Sequence, residues 1–390
     1  MSRMDAPKDT MDNSDKPHLS IIMSTHASLG SLAKVGLAGR TEKLFAKYSE
    51  YYDVEIWSPS VGKYRSLGVN KIHTPRRILN VPGLRQLMYF IWLCLEAKNM
   101  NGVIKVYGAN IPTLGIVKYI SQCPIIVTYQ WDYLVGTRLN EANPIRRLLA
   151  PIMEKLAISG SDTIQTTTIR LATTLSERYG RITTIVPNWV DLDIAKETQE
   201  WANRIPNSII YAGRLHKIKG IDVLLRSVEI AKENVGDISL TIIGSGPEEK
   251  SLLRELEERA SGHVDYLGVL SHRKVLEILP QFQIFVLPTL TAEGHPKALI
   301  EALAAGAVCI ATDIPGNQDI IVNGENGILV PPGDVESLAN AIQLLLGDRE
   351  MSKRISMNGA VYAKRFSFAR IVQKEIELID EVLSESRADD

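Results

Sequence analysis

Residues 284–306 read IFVLPTLTAEGHPKALIEALAAG, and this stretch indicates the fold of the chain. An apolar, β-rich run leads into a polar turn with Glu293 and Gly294, and Pro296 then begins a segment with helical periodicity. A buried strand that passes through a short loop into an amphipathic helix is typical of parallel α/β layers. The same order of strand, turn and helix recurs along the chain.

Each half of the chain holds about six short apolar runs, the number in a doubly wound nucleotide-binding sheet. The predicted strands of the first half are Leu19–Ser24, Val54–Ser58, Val103–Tyr107, Ile125–Tyr129, Thr163–Thr167 and Thr183–Val186. Those of the second half are Ser208–Tyr211, Ser239–Ile243, Val264–Tyr266, Ile284–Leu287, Val308–Ala311 and Ile328–Val330. We therefore predict an α/β fold with two doubly wound, Rossmann-like domains that face each other across a cleft.

Length and composition narrow the class of protein. A chain of 390 residues is much longer than the ~150 residues of a usual domain, so we expect two domains. We predict a disordered tail in residues 1–17, domains in 18–192 and 193–365, and a C-terminal helix in 366–390. Hydrophobic residues make up 45% and charged residues 23%, which excludes a disordered or collagen-like chain.

The sequence predicts a reduced, cytoplasmic protein. Its N-terminus is polar and mixed in charge, unlike a signal peptide, and the apolar run Leu87–Leu95 is shorter than the ~20 residues of a membrane span. Cys94, Cys123 and Cys309 lie far apart and lack CxxC spacing, so we expect no structural zinc.

Charge is distributed unevenly: residues 1–195 carry a net charge of +7 and the remainder −8, which together give −1. From Ile56 to Leu95 there is no acid but there are six cations, Lys63, Arg65, Lys71, Arg76, Arg77 and Arg85. If Tyr89 or Trp92 is exposed beside Arg76, Arg77 and Arg85, the first domain has a basic, aromatic-rimmed face for an anionic membrane surface. A solvated loop beside a core helix is the alternative.

Two loops of the second half have the residue types that bind phosphate. After the first strand, Gly213 lets the backbone turn, and Arg214 and Lys219 flank the start of a helix. A guanidinium fork, a point charge and a helix N-terminus together suit a diphosphate, although a solvated loop is the alternative. After the next strand, Gly244 and Gly246 permit close approach of a ligand to the backbone, or form a plain tight turn.

The third loop, inside the stretch quoted first, is the strongest candidate. Backbone amides from Gly294 to Ala298 can point at an anion from the start of a helix. Carboxylates accept hydrogen bonds from sugar hydroxyls, so Glu293 and Glu301 can hold a hexose and a ribose at opposite ends of one diphosphate. Glu301 lies in an apolar run, where a charge without a partner is costly. The alternatives are that Glu293 is an ordinary charge of a surface loop and that Glu301 is an exposed helix residue.

The spaced set of motifs resembles the retaining glycosyltransferases of family 4, which have the GT-B architecture. The motifs are GRLHKIKG (213–220), GSGP (244–247), EGHPKALIE (293–301) followed by ALAAGAVCIATDIPG, and NGILVPPGD (326–334). VPNWVD (186–191) is similar to the segment between the family's domains, with Trp189 where glycine is usual. The resemblance covers roughly residues 20–365.

The resemblance implies transfer of a hexose, with retention, from a nucleotide diphosphate sugar to a glycan or lipid-linked acceptor. It places the acceptor in residues 18–192, the donor in 193–365, and packs the helix of 366–390 back on the first domain. Catalytic roles fall to Glu293, Arg214, Lys219 and Asp132. The predicted donor contacts are Gly213, Arg214, Lys219, Gly244, Gly246, Gly268, Gly294, His295, Lys297, Ala298 and Glu301, with Gly30 and His26 from the first domain.

The first-domain candidates follow two predicted strands. His26 and Gly30 lie in THASLGS, where the family has a glycine-containing loop near the donor phosphate and acceptor, but His26 is equally well read as a surface histidine. Asp132 follows IIVTY, where family members often place a histidine or acidic residue that faces the sugar.

We expect no metal and no cofactor besides the donor substrate. Asp191-Leu-Asp193 mimics a metal-binding DxD motif, but it ends the interdomain segment and is better read as a helix start. We expect no nucleic-acid partner, and a location in the cytoplasm or peripherally on the inner face of the membrane. Two other classes remain: a nucleotide-sugar epimerase of the same architecture, and a non-catalytic, two-lobed sugar-binding protein. The motifs leave the nucleotide, sugar and acceptor open.

Overall fold

The computed structural model describes residues 16–25, 27–34, 37–64, 66–75, 84–140, 144–192, 201–258, 263–291 and 293–388. Contacts divide the chain into two compact units. The first consists of the chain up to Thr166, Leu171–Ile185 and the residues from Gln373 onward, and the second of Thr167–Arg170 and Val186–Val372. No helix within the described ranges is long and apolar enough to cross a membrane.

The first unit is built on a sheet that, in the described residues, has seven parallel strands in the order β3-β2-β1-β4-β5-β6-β7. The strands are β1 (His18–Met23), β2 (Asp53–Trp57), β3 (Lys71–His73), β4 (Val103–Tyr107), β5 (Ile125–Tyr129), β6 (Thr163–Thr166) and β7 (Thr184–Ile185). The helices are α1 (Leu29–Lys34), α2 (Ala38–Tyr51), α3 (Arg85–Glu96), α4 (Leu114–Ser121), α5 (Tyr133–Asn140), α6 (Pro144–Ser159) and α7 (Ile169–Tyr179). The central strands are buried, which is why they read as continuous apolar runs.

The second unit has the same plan. Its described strands form a six-stranded parallel sheet in the order β10-β9-β8-β11-β12-β13. They are β8 (Ser208–Ala212), β9 (Ser239–Ile243), β10 (Val264–Tyr266), β11 (Ile284–Leu287), β12 (Val308–Thr312) and β13 (Ile328–Val330). The helices are α8 (Ile221–Val235), α9 (Glu249–Glu258), α10 (His272–Ile278), α11 (Lys297–Ala304), α12 (Val335–Gly347) and α13 (Arg349–Ala363). Helix α14 (Phe368–Ala388) begins in this unit and belongs to the first unit from Gln373 onward. The predicted fold class, with two Rossmann-like α/β domains, is confirmed.

Sequence analysis missed one strand, β3, at the edge of the first sheet. It has only three residues and begins with an exposed lysine, so it presents no apolar run. The strand is held by its neighbour: the His73 ring stacks on Trp57 with centroids 4.4 Å apart, and its Nε2 lies 2.8 Å from Glu55 Oε2. Part of the basic stretch therefore belongs to the sheet.

The condition for an aromatic rim beside the cations is not met by Tyr89. Tyr89 is completely buried, and its hydroxyl donates to backbone carbonyls at the ends of β1 and β2 at 2.6 and 3.1 Å. Trp92 is half-buried and stacks on Tyr89 at 5.7 Å. Arg85 is exposed, whereas Arg76 and Arg77 lie outside the described residues. Helix α3 turns its aromatic side inward and exposes aliphatic residues instead.

A buried polar network holds α14 in the first unit. The Glu375 carboxylate accepts hydrogen bonds from Tyr48 Oη and, at 2.7 Å, from Gln165 Nε2. Gln165 Oε1 in turn accepts one from Lys105 Nζ at 2.5 Å. Burial lowers the pKa of Lys105, and the nearby Glu375 opposes this shift. Charged groups at this depth persist because each has polar partners.

Candidate functional site

The three loops selected from the sequence converge in the second unit. The strand order reverses between β8 and β11, and doubly wound sheets bind ligands outside the carboxyl ends of the strands at such a point. The loops after β8 and β9 are joined by Leu215 N, which donates to Ser245 O at 2.9 Å. The loops after β8 and β11 are joined by Leu290 N, which donates to Ile218 O at 2.8 Å.

The convergence brings Lys219 and Glu293 into an ion pair. The same carboxylate oxygen of Glu293 accepts a hydrogen bond from Thr289 Oγ1 at 2.9 Å. Their side chains are only 20% and 17% exposed, so water screens the pair incompletely. Sequence analysis assigned these residues to different parts of one ligand, and it did not foresee that they are partners of each other.

Arg214 lies in the same loop as Lys219 and has an exposed side chain. Its backbone is held by the buried Tyr211, whose hydroxyl donates to Arg214 O at 3.0 Å. Gly213 leaves room for this contact, because a Cβ there would lie 2.8 Å from the tyrosine oxygen. Burial and the charge of Glu293 raise the pKa of Tyr211, so the phenol remains a hydrogen-bond donor.

The structure explains why glycine stands at positions 244 and 246, after β9. A Cβ on Gly244, where φ is +137°, would lie 1.8 Å from Gly213 O, and one on Gly246 would lie 2.0 Å from Leu215 O. These glycines therefore allow the two loops to pack backbone against backbone. Gly268, whose φ is +64°, accepts a hydrogen bond from Gly244 N at 2.8 Å. Contact of these glycines with a ligand stays a prediction.

The side chain of His295 is buried at the start of α11. Its ring meets Phe366 edge-on at 5.1 Å, and its carbonyl accepts a hydrogen bond from Asn188 Nδ2 at 2.7 Å. Burial, with a smaller effect from Lys297, lowers the pKa of His295 to about 3, so the imidazole is neutral at physiological pH. Its Nδ1 has no hydrogen-bond partner among the described residues. The carboxyl end of β11 leads into this loop and the start of α11, which contain the predicted donor contacts Gly294, Lys297 and Ala298.

Glu301 is buried in the middle of α11 and has a partner that sequence analysis missed. Its Oε1 lies 2.8 Å from Nε2 of His272, a residue at the start of α10. Ser271 caps α10 by accepting a hydrogen bond from Lys274 N at 3.3 Å. The serine before a helical run could have located this helix start. Nothing in the spacing relates His272 to Glu301, because they lie on separate elements.

In the first unit the strand order reverses between β1 and β4, and a cavity of about 190 Å³ lies there. Its lining is aromatic and polar without a charged side chain: Ser24, Ala27, Tyr107, Gly108, Ala109, Asn110, Thr128, Tyr129, Gln130, Trp131 and Tyr133. We call it the neutral pocket. Apolar walls with a few polar groups are typical of small-molecule sites.

Two residues that line the neutral pocket carry buried polar atoms without a hydrogen-bond partner among the described residues. Asn110 Oδ1 and Thr128 Oγ1 are buried and have no hydrogen-bond partner among the described residues. Gly108, with φ +111°, leaves the space beside them open, because a Cβ there would lie 3.2 Å from Asn110 Oδ1 and 3.1 Å from Ser24 Oγ. Trp131, which also lines the pocket, is 46% exposed. A buried polar atom without a partner is costly, and a ligand hydroxyl would supply one.

Asp132 has structural partners in this unit. Its Oδ2 lies 2.9 Å from Arg178 NH2, and its Oδ1 accepts hydrogen bonds from Leu134 N and Val135 N at 3.0 and 3.2 Å. Arg178 also binds the buried Glu154 at 2.8 Å. The carboxylate thus caps α5, and a role toward a sugar stays a prediction.

Of the other first-half candidates, only Gly30 lies within the described residues. Gly30 lies in α1, where its N donates to Ser60 O at 3.1 Å. His26 and Asp193 lie outside the described residues. In the part of the chain that the structure describes, no group of three or more His, Cys, Asp or Glu is placed to hold a metal ion.

The sequence and fold are similar to those of known proteins. Residues 195–361 match the family model "Glycosyl transferases group 1". The phosphatidyl-myo-inositol mannosyltransferase of Mycobacterium leprae is 26% identical over 73% of this chain and 74% of its own length. The capsular polysaccharide biosynthesis glycosyltransferase CapM of Staphylococcus aureus is 25% identical over 87% of this chain and 92% of its own length.

The crystal structure of Anabaena Alr3699/HepE in complex with UDP has the same fold, with a TM-score of 0.73 at 17% identity, over 93% of this chain and 100% of that chain. The family match and the relatives favour a transferase over the epimerase and the sugar-binding protein. The match in the second unit, the relatives over most of the chain and the shared architecture identify this protein as an enzyme, a glycosyltransferase with the GT-B fold.

Proposed function

We propose that the protein transfers a hexose from a nucleotide diphosphate sugar to a glycan or lipid-linked acceptor, with retention of the anomeric configuration, as family 4 enzymes do. The observation that carries the proposal is the Lys219–Glu293 pair at the switch point of the second sheet, with Arg214 in the same loop as Lys219. Relatives that act as mannosyltransferases and capsule-building glycosyltransferases support it, as does the UDP bound by a protein of the same fold.

The ion pair explains how one site can accept both ends of such a donor. A diphosphate carries more negative charge than one carboxylate, so it displaces Glu293 as the partner of Lys219. Glu293, still oriented by Thr289, then has a free oxygen for the hexose hydroxyls. Arg214 adds a second cation, and the backbone amides at the start of α11 face the same end of the sheet.

In this scheme the protein accelerates transfer by electrostatics. Arg214, Lys219 and the dipole of α11 stabilise the negative charge that grows on the departing diphosphate. A phosphate oxygen of the leaving group takes the proton of the acceptor hydroxyl. The scheme requires no metal ion.

The neutral pocket of the first unit is the proposed acceptor site. Ionised headgroups would lose hydration there without gaining a counter-charge, because no lining side chain is charged. An uncharged sugar ring meets both its apolar and polar features: the ring face lies on Trp131, and hydroxyls bind Asn110 and Thr128.

The double variant Arg214→Ala/Lys219→Ala tests the donor site. Each cation makes a charge-assisted bond worth ~1.5–3 kcal/mol, so we expect kcat/KM to fall about a hundredfold or more, with the fold intact. Lys217→Ala, an exposed lysine of the same loop, is the matched control and should retain activity. Transfer from nucleotide sugars is measured by nucleotide release, and NMR of the product reports its anomeric configuration. Wild-type kcat/KM in the double variant would refute the donor site, and an inverted product would refute retention.

A further inference from the structure

Three neighbouring helices of the first unit expose apolar side chains. Helix α4 packs beside both α3 and α6, and the inward sides of all three contribute to one hydrophobic core. We call their outward apolar side chains the outer face. On α4 these are Ile116, Tyr119 and Ile120, which are 52%, 79% and 41% exposed.

Helix α6 carries the clearest part of the outer face. Its members are Ile145, Leu148, Leu149, Ile152 and Leu156, of which Leu148 is 75% exposed. Their spacing of three and four residues aligns them along one side of the helix. Ala150, Glu154, Ala157 and Ile158 are buried on the opposite side. The helix therefore has an inward side that completes the core and a second apolar side that faces away from it.

Helix α3 repeats the arrangement. Leu84 precedes the helix, and Leu87, Ile91 and Leu95 follow at the same helical spacing; all four are about half exposed or more, with Leu95 at 68%. The opposite side, with Tyr89 and Leu93, is completely buried. Large exposed apolar patches are rare on monomeric soluble proteins, and apolar side chains exposed on three neighbouring helices therefore indicate a binding surface.

The charges around the outer face have one dominant sign. On and beside the three helices, the described cations outside the core are Arg85, Lys98, Lys118, Arg147 and Lys155. The acids on and beside the same helices are Glu96, Asp162 and Glu154; Asp162 forms an ion pair with Lys118, and Glu154 is buried in the network with Arg178. Aliphatic residues flanked by cations suit a bilayer, whose interior is apolar and whose headgroups can be anionic.

We infer that the outer face docks on an anionic phospholipid bilayer, with α3, α4 and α6 lying in the interface and none of them crossing it. This geometry is that of interfacial amphipathic helices, which bury an apolar face near the headgroups and attract anionic lipids with lysine and arginine. A symmetric dimer through the same face would set like charges against each other, which disfavours a second copy as the occupant. The inference deepens the proposed function, because a lipid-linked acceptor lies in such a surface.

Co-sedimentation of the full chain with vesicles tests the inference. We expect wild type to bind vesicles of phosphatidylcholine and phosphatidylglycerol, to bind phosphatidylcholine alone more weakly, and to be released as salt rises. Leu148→Gln/Ile152→Gln should weaken partitioning by about tenfold or more, because two apolar side chains no longer enter the interface. The matched control is Met357→Gln/Val361→Gln, an exposed apolar pair at the same spacing on α13 of the second unit, and it should bind as wild type does.

Three outcomes would overturn the inference: wild type stays in the supernatant at low salt, the α6 variant pellets as well as wild type, or the α13 control loses binding equally. Size-exclusion chromatography with light scattering, without lipid, tests whether a second copy of the chain binds the outer face instead. A wild-type dimer that the α6 variant converts to monomer would assign the outer face to a second copy. Hydrolysis of nucleotide sugars in lipid-free buffer is measured alongside. Absence of vesicle binding with nucleotide release intact refutes only the docking surface, whereas wild type that releases no nucleotide from any nucleotide sugar contradicts the proposed function.

Discussion

The carboxylates of the second-unit site are each held by a basic or imidazole group. Glu293 pairs with Lys219, and Glu301 pairs with His272. A buried carboxylate loses its hydration, and a nearby donor compensates for that loss. These partners also set the direction of the carboxylates before a ligand arrives, which reduces the entropy lost on binding.

His272 is accordingly predicted to position Glu301 toward the ribose of the donor. His272→Ala removes a hydrogen bond to a carboxylate worth ~1.5–3 kcal/mol, so we expect KM for the donor to rise about tenfold or more while kcat changes less. The preference for a ribose donor over its 2′-deoxy analogue should fall as well, and His272→Gln, which keeps a donor, should restore part of both. If KM and this preference stay at wild-type values in His272→Ala, the pair is only structural.

At the scale of elements, polar residues inside the core determine where helices attach. Helix α14 places Glu375 against Tyr48 of α2 and Gln165 of β6, with Lys105 of β4 behind. Buried Ile376 and Ile379 add apolar contacts on the same side. The network makes the position of the helix specific, because shifting it by one turn would leave buried charges without partners.

Removal of Glu375 should therefore destabilise the protein strongly. Glu375→Ala removes the carboxylate near the buried Lys105 and the acceptor of the hydrogen bonds from Tyr48 and Gln165, and breaking such a network costs about 3–5 kcal/mol. Glu381→Ala, on the exposed side of the same helix, should change the free energy of unfolding by less than about 0.5 kcal/mol. Urea unfolding at neutral pH measures both variants, and equal stabilities would show that the network does not anchor α14.

At the scale of the whole molecule, two sheets of the same topology carry different chemistry at the same place. Both reverse their strand order beside the first strand of the sheet. In the second unit this point holds cations and carboxylates, and in the first it holds the neutral pocket. The architecture thus fixes where ligands bind, while the loop residues decide which ligands.

The proposed division of roles predicts transfer without a metal ion. In the proposed scheme, Arg214, Lys219 and the start of α11 supply the positive charge that magnesium supplies in many phosphate-handling enzymes. Transfer should persist at its full rate in excess EDTA, and added Mg²⁺ or Mn²⁺ should not raise it. Complete loss of transfer in EDTA that either ion restores would contradict the proposed site.

The sequence by itself determined the class of fold and the loops of the candidate site. Buried parallel strands are continuous apolar runs, and glycine and proline mark the turns after them, so these features are local and visible along the chain. Strands such as β5 and β9 lie where they were predicted, with the same bounds. The short, polar edge strand β3 lacks such a run, and only its pairing with β2 makes it a strand.

Only the tertiary structure decided which residues are partners and which helix sides face water. Lys219 meets Glu293, and His272 meets Glu301, across elements far apart in sequence, and no local pattern encodes such a contact. Helix α3 is apolar over most of its circumference, and its sequence alone did not show that Leu87, Ile91 and Leu95 would be the exposed members. Packing against the sheet buried Tyr89 and exposed Leu95, because the sheet covers one side of a helix and leaves the other to whatever surrounds the protein.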